Sequence, residues 1–201
     1  MKRKLLIVTV LVTICRFSAL AQDKRTSVYG VERRTNSFEI GAEYLMGQGD
    51  FGKIYKNGFG GAIRYRFAIT EFKSLLASIG YTNFNGKVIL PGNPEVDVSA
   101  GFIPVKIGMK FRFLKQVYFA WELGPTIALG VNGTDKINPY VAADYKINGV
   151  LFNFAPTLGV QIPTTNKNYI DLGFRYEGMV LKSDPKFFTG IRAAYAFDVA
   201  R

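Results

Sequence analysis

The chain has 201 residues, enough for one domain, and its composition excludes several classes of function. It has 26 basic and 15 acidic residues but no histidine, so a common general base and metal ligand is missing. The excess of positive charge favours contact with anionic lipid headgroups or aids solubility. No nucleic-acid motif accompanies it, and we predict no nucleic-acid partner.

The amino terminus has the pattern of a secretory signal. A basic head at Lys2–Lys4 precedes an apolar run at Leu5–Ile14, and Ala19–Ala21 forms a small-x-small cleavage site. We therefore predict a cleaved signal peptide at residues 1–21 and a polar leader at residues 22–36. The alternative is a membrane anchor that stays attached, although the apolar run is too short to span a bilayer as a helix.

The remainder of the chain alternates between apolar residues and small or charged ones. Between Ile103 and Phe113, and again from Val117 to Leu123, every second residue is apolar. Successive side chains of a strand point to opposite faces, so this pattern predicts a hairpin with one apolar face. Six further segments resemble it. The eight predicted strands are Ser37–Met46, Asn57–Ala68, Phe72–Asn83, Val98–Phe113, Val117–Val131, Val150–Gln161, Tyr169–Gly178 and Phe187–Phe197.

The predicted strands suit a closed barrel in a membrane, assigned to residues 37–197. Hydrocarbon requires every backbone N–H and C=O to be paired, which only helices and closed barrels achieve, and no later apolar run has the length of a spanning helix. Long and short connections also alternate, as in outer-membrane barrels with long external loops. The longer connections are Gly47–Lys56, Phe84–Asp97, Asn132–Gly149 and Met179–Lys186, and the shorter ones are Ile69–Glu71, Leu114–Gln116 and Ile162–Asn168. We predict an all-β fold, an eight-stranded antiparallel up-and-down transmembrane β-barrel.

Alternation alone leaves two orientations of the faces open. In a periplasmic lipocalin-like carrier the apolar face would line a cavity for an apolar ligand, and the charges would meet water. In a membrane barrel the apolar face meets lipid. The small residues on the opposite face, the aromatic residues near strand ends and the closing Tyr195–Phe197 segment favour the membrane.

In the membrane orientation, charged residues of both signs face the lumen at similar heights. The predicted structural charge network is Glu39, Glu43, Arg64, Arg66, Lys106, Lys110, Glu122, Asp171, Arg175, Glu177 and Arg192. The expected ion pairs are Glu39 with Arg64 or Arg66, Glu122 with Lys106 or Lys110, and Glu43 with Arg192. Because eight strands leave just enough room for side chains, we expect a plugged lumen. The alternatives are a gated ion path and a catalytic carboxylate pair.

Catalytic residues, cofactors and metal sites are not predicted. Ser78 and Ser99 have no evident base, and the only cysteine, Cys15, lies in the signal. The aspartates of the loops are too scattered to form a metal site. Three prolines inside strands, Pro104, Pro125 and Pro156, each remove a hydrogen-bond donor, so bulges or openings are expected there, mostly toward the outer rim.

Four segments resemble the outer-membrane protein β-barrel family, small barrels related in architecture to OmpA and OmpX. They are Val96–Gly108, Phe102–Gly124, Asp171–Gly178 and Gly190–Phe197. The resemblance covers most of the predicted barrel and implies a non-enzymatic integral protein of the outer membrane of a Gram-negative bacterium, with a structural or surface-interaction role. It also implies outer-membrane lipid and lipopolysaccharide, the barrel-assembly machinery and a secretion or surface protein as partners.

The longest predicted loop, Asn132–Gly149, is the candidate contact surface for a surface partner. It carries Tyr140, Tyr145 and Ile147. The alternative is a solvated loop without a partner. The chain departs from the family pattern at its end, where four residues, Asp198–Arg201, follow the last aromatic side chain.

Overall fold

The computed structural model describes residues 36–88, 95–132, 148–164, 168–181 and 184–199. These residues form eight strands and one short helix, α1, at Gly49–Ile54. The predicted signal peptide and the loop with Tyr140, Tyr145 and Ile147 lie outside the described residues. The strands are β1 (Asn36–Gln48), β2 (Asn57–Ala68), β3 (Lys73–Val88), β4 (Val96–Arg112), β5 (Val117–Asn132), β6 (Asn148–Pro163), β7 (Tyr169–Leu181) and β8 (Asp184–Val199).

The strands follow one another around a closed antiparallel barrel in chain order. The sheet closes because β1 also pairs with β8, from Asn36↔Val199 at one end to Gln48↔Phe187 at the other. Closure pairs each strand on both sides and so leaves no open sheet edge. The prediction of an eight-stranded antiparallel up-and-down barrel is confirmed.

The apolar face of the strands points away from the barrel axis. Trp121 and Phe174 are 40% and 56% exposed on the outer surface, whereas Lys110 and Arg175 are each only 3% exposed inside. This is the arrangement of a membrane barrel and the reverse of a lipocalin-like barrel. In the described part of the chain, no helix is long and apolar enough to cross a membrane.

The strand prolines interrupt the pairing, as predicted, but at mid-strand and not toward the outer rim. Each ring lacks the N–H that a ladder needs, so the pairing on one side of Pro104, Pro125 and Pro156 stops and then resumes in the same register. Beside Pro104, the β3–β4 pairing has a gap between Ile79↔Val105 and Thr82↔Phe102. Beside Pro125, the β4–β5 gap lies between Pro104↔Thr126 and Ile107↔Leu123. Beside Pro156, the β6–β7 gap lies between Phe154↔Gly178 and Thr157↔Arg175.

The long connections differ from the prediction in two places. The connection expected at Met179–Lys186 is wrong, because β7 and β8 stay paired as far as Leu181↔Asp184, and only residues 182–183 join them. Pro185 has no N–H to donate, yet it pairs with Val180 at the end of the hairpin. The predicted Gly47–Lys56 loop contains α1, whose Phe51 is buried. Gly49, with φ of 58°, makes the turn into this helix.

Candidate functional site: the barrel interior

All eleven residues of the predicted charge network lie inside the barrel and are buried. Their positions follow from the strand geometry, since each occupies the face opposite the outward apolar residues. They come from six strands, and the barrel brings their charged ends together near the axis. The interior therefore concentrates five carboxylates and six cations where little water reaches.

Glu39 of β1 is the centre of the half of the network nearer to the short turns. Its carboxylate lies 3.2 Å from each of three cations, Arg64, Lys110 and Arg192. The hydroxyl of Tyr169 also donates to it, at 2.8 Å. A buried carboxylate is stable only with such compensation, because burying an isolated charge is costly.

Asp171 of β7 shares two of these cations. Its carboxylate lies 2.9 Å from Lys110 Nζ and 3.0 Å from Arg192 Nη1. It also accepts a hydrogen bond of 2.6 Å from the Tyr118 hydroxyl. The two carboxylates thus hold a lysine and an arginine between them, which links β1, β4, β7 and β8.

Glu122 of β5 is the centre of the other half of the network. Arg64 approaches its carboxylate to 2.6 Å and Arg175 to 3.0 Å. The ion pairs expected with Lys106 or Lys110 are wrong for the described interior. The residue directly opposite Glu122 on β4 is Gly108, and guanidinium groups from β2 and β7 occupy the space beside the carboxylate.

The remaining charges join the two halves. Lys106 Nζ lies 2.9 Å from Glu177, and Arg175 contacts both Glu177, at 3.3 Å, and Glu43, at 2.9 Å. Glu43 and Arg192 are direct partners across the β1–β8 seam and lie 3.5 Å apart. The expected approach of Glu39 to Arg64 and of Glu43 to Arg192 is therefore present.

Arg66 Nε donates to Ser37 Oγ at 2.9 Å. Hydroxyl groups of this kind complete the network and were missed in the sequence analysis. Lys110 Nζ also lies 4.2 Å from the centre of the Tyr118 ring, a cation–π distance. The signal for Tyr118 was available, because its even-numbered position on β5 belongs to the inward face.

The interior near α1 is apolar. We call the buried apolar side chains there the mouth cluster, which was not predicted from the sequence. Phe84 is fully buried, with its ring 5.1 Å from those of both Phe51 and Phe188. The cluster comprises Leu45, Phe51, Tyr55, Phe84, Val88, Val96, Val98, Ala100, Phe102, Leu151, Met179 and Phe188.

Tyr55 carries the one polar group of the mouth cluster that has no hydrogen-bond partner among the described residues. Burial raises the pKa of its hydroxyl to about 12. Tyr55→Phe should therefore raise the free energy of unfolding by about 1 kcal/mol at neutral pH, since an unsatisfied buried hydroxyl is removed. Urea unfolding followed by the fluorescence of Trp121 measures the change.

The free energy of unfolding at alkaline pH provides the control for this prediction. Tyrosine in the unfolded chain ionises near pH 10, so the wild type loses stability as the pH rises from about 10 toward 12. The Phe variant lacks this contribution, and its stability advantage should grow between pH 9 and pH 11. An advantage that stays constant over this range would show that the hydroxyl is solvated.

The arrangement has little catalytic capacity. Ser78, predicted to have no evident base, donates to Glu122 at 2.8 Å. That carboxylate is already held by Arg64 and Arg175, so it has no free lone pair positioned for an incoming proton. Within the described ranges, no group of three His, Cys, Asp or Glu side chains could hold a metal ion.

Comparison with known proteins identifies similar structures but no similar sequence. No protein-family model and no curated protein matches the chain. The structure resembles Ail of Yersinia pestis, solved with the heparin analogue sucrose octasulfate: TM-score 0.53, 18% identity, covering 81% of this chain and 97% of Ail. Neisserial surface protein A has TM-score 0.53 and 16% identity, covering 82% of this chain and 97% of its own. Outer-membrane protein OprG of Pseudomonas aeruginosa has a TM-score of 0.51 and 9% identity, and the match covers 84% of this chain and 99% of OprG.

Proposed function

We propose that this chain, which has the fold of the small eight-stranded outer-membrane β-barrels of the OmpA and OmpX type, is a non-enzymatic integral protein of the outer membrane of a Gram-negative bacterium. The observation that carries the proposal is the outward apolar surface around a closed barrel without open sheet edges. Such a surface is stable in hydrocarbon. In water the same surface would expose a large continuous apolar area, which is unfavourable for a soluble protein.

The domain layout of this protein follows from its export. Residues 1–21 are removed as the signal, residues 22–35 form a leader that ends where β1 begins at Asn36, and the barrel inserts with the help of the barrel-assembly machinery. The end of the barrel that carries α1 faces the outside of the cell, and the short turns face the periplasm. The role is structural or one of surface interaction, through the connections at the α1 end.

The lumen is plugged in this proposal. The charge network fills the half near the short turns, and the mouth cluster fills the half near α1. An ion entering from the α1 end would have to leave water for an apolar layer, which is costly. A structural plug is therefore favoured over a gated ion path.

The plug leads to a direct electrical prediction. Purified protein in planar bilayers should show no steady openings, because both halves of the lumen are occupied by side chains. Phe84→Ala combined with Phe51→Ala widens only the mouth, so it should stay closed at the charge network. Steady large conductance of the wild type would contradict the plug.

Cell fractionation tests the location. The protein should be recovered in the outer-membrane fraction, released only by detergent, and should migrate differently on gels before and after heating. Protease applied to whole cells should cut in the connections at the α1 end and not in the short turns. Recovery from the periplasm without detergent would support a carrier instead.

A further inference from the structure

A row of polar side chains crosses four neighbouring strands on the outer surface, near the α1 end. Asn57 of β2 pairs directly with Asn85 of β3, which pairs with Ser99 of β4, which pairs with Asn132 of β5. Direct partners on one face of a sheet have Cβ atoms about 5 Å apart. We call these four residues the amide row.

A bulge in β5 gives the row its fourth member. Phe102 pairs with Ala128, but Ala100 pairs with Val131, so β5 has one extra residue between these pairs. Gly130, with φ of 93°, allows the extra residue. The shift by one residue turns Val131 toward the mouth cluster and Asn132 outward. Without the bulge, an apolar residue would stand in the row.

Neighbouring side chains fix the direction of two amides of the row, Asn57 at its end and Asn85 beside it. The Tyr44 hydroxyl donates to Asn57 Oδ1 at 2.9 Å, and Asn83 Nδ2 donates to Asn85 Oδ1 at 3.1 Å. Both amide oxygens are thus engaged, and no hydrogen bond of either amide nitrogen is seen among the described residues, so both amides keep N–H donors for a ligand. Oriented donors of this kind are suited to hydroxyl or carbonyl oxygens of a ligand.

The row borders an open cleft of about 530 Å³, whose lining includes Lys56, Lys87 and Asp97. The charges in and beside the cleft balance. Lys87 Nζ is paired with Glu95 at 2.9 Å, and Asp97 adds a second carboxylate against Lys56. A cleft with balanced charge and several amides fits a neutral polyhydroxy group better than a bare phosphate, which Asp97 would repel.

The surface below the row, toward the middle of the strands, is apolar except for Asn83, which lies directly below Asn85. Phe59, Tyr81 and Leu129 are exposed there, and Gly101 leaves an opening into which the Tyr81 hydroxyl points. A ligand that fits both zones has a polyhydroxy head and an apolar tail. Aromatic edges and faces beside a polar cleft also suit the C–H faces of sugar rings.

From these contacts we infer that the amide row binds the sugar headgroup of a membrane glycolipid, whose acyl chains lie along the apolar face of β2–β5. The inference rests on the proposed function, because only in a membrane do the polar row and the apolar face meet the two parts of one lipid. Asn57, Asn85, Ser99 and Asn132 hydrogen-bond the ring hydroxyls, and Lys56 approaches any charge attached to the sugar.

Lipid binding to the detergent-purified protein, measured by native mass spectrometry, tests this inference. The probes are lipid A, whose headgroup is a phosphorylated disaccharide, and phosphatidylglycerol, which has a phosphate and a glycerol but no sugar ring. Both are anionic, so a preference between them reports the sugar rings and not the charge. Wild type should bind lipid A in preference. The triple variant Asn85→Ala, Ser99→Ala and Asn132→Ala should lose about tenfold in lipid A affinity, since several hydrogen bonds are removed, and change little toward phosphatidylglycerol.

A matched control removes polar groups elsewhere on the same rim. Gln48 Nε2 donates to Thr189 Oγ1 on the β1–β8 side, and Gln48→Ala with Thr189→Ala should leave lipid A binding unchanged. Heat-modifiable gel mobility verifies that each variant is folded. If the triple variant does not fold, the isosteric single variant Asn85→Leu takes its place, and it should lose about threefold in lipid A affinity.

The inference would be overturned by equal binding of the two lipids, or by a folded row variant that keeps its lipid A affinity. Failure of the proposed function looks different, because it appears in the cell fractionation, where the protein would not be in the outer membrane. The two failures are therefore distinguishable.

Discussion

Replacing Glu39 with alanine should lower the free energy of unfolding by about 3–5 kcal/mol, the usual cost of leaving buried cations without their partner. Glu39 is fully buried and lies 3.2 Å from Arg64, Lys110 and Arg192. Its removal leaves three positive charges near the axis with too few carboxylates. Urea unfolding in detergent micelles, followed by the fluorescence of Trp121, measures the loss.

Two further variants separate charge from packing in this experiment. Glu95→Gln breaks an exposed ion pair with Lys87 and should give no measurable change, because exposed pairs contribute little. Combining Glu39→Met with Arg64→Met removes one charge of each sign and should recover part of the loss. If Glu39→Ala unfolds at the same urea concentration as the wild type, water must penetrate the lumen.

The lipid-facing surface gives the second large effect. Ile107 is 62% exposed at the middle of β4, opposite Leu123. Ile107→Arg should cost about 2–4 kcal/mol in a lipid bilayer, the range for an arginine that faces lipid near the midplane. The measurement is the free energy of unfolding in phospholipid vesicles.

The depth of the substitution provides the matched control. Leu114 lies in the turn between β4 and β5 and is also exposed. Leu114→Arg should cost only about 0–1 kcal/mol, because an arginine near the interface keeps its charge hydrated. Equal costs at both positions would show that Ile107 is not in hydrocarbon, which would contradict the orientation of the barrel in the membrane.

The fold was predictable because the side-chain period of a strand is a simple rule. The alternation at Ile103–Phe113 and its neighbours identified all eight strands, and charges such as Lys106 fixed which face points inward. Strand ends were less predictable. The β7–β8 hairpin continues past Pro185, and the helix α1 forms in a segment of only six residues, stabilised by Phe51 packing that local sequence does not reveal.

The sequence predicted which charged residues face the lumen better than it predicted which of them form ion pairs with one another. Which residues face the lumen follows from alternation within each strand. Which charges touch depends on the tilt of the strands and on side-chain reach across the axis, as with Arg64 and Arg175 at Glu122. The apolar mouth was hidden because Phe84 and Phe188 lie in segments that look like strand ends or loops.

The seam between β1 and β8 has a consequence for assembly in the membrane. Every other strand pair is a hairpin of near neighbours in the chain, but Glu43 and Arg192 meet only when the first and last strands join. Such long-range pairing forms slowly because the loop it closes is long. Until that moment Glu39 lacks Arg192 as a counterion. Closure of the barrel and the pairing of Arg192 with Glu39 and Glu43 therefore occur together. A partly assembled sheet in lipid would have these charges incompletely paired.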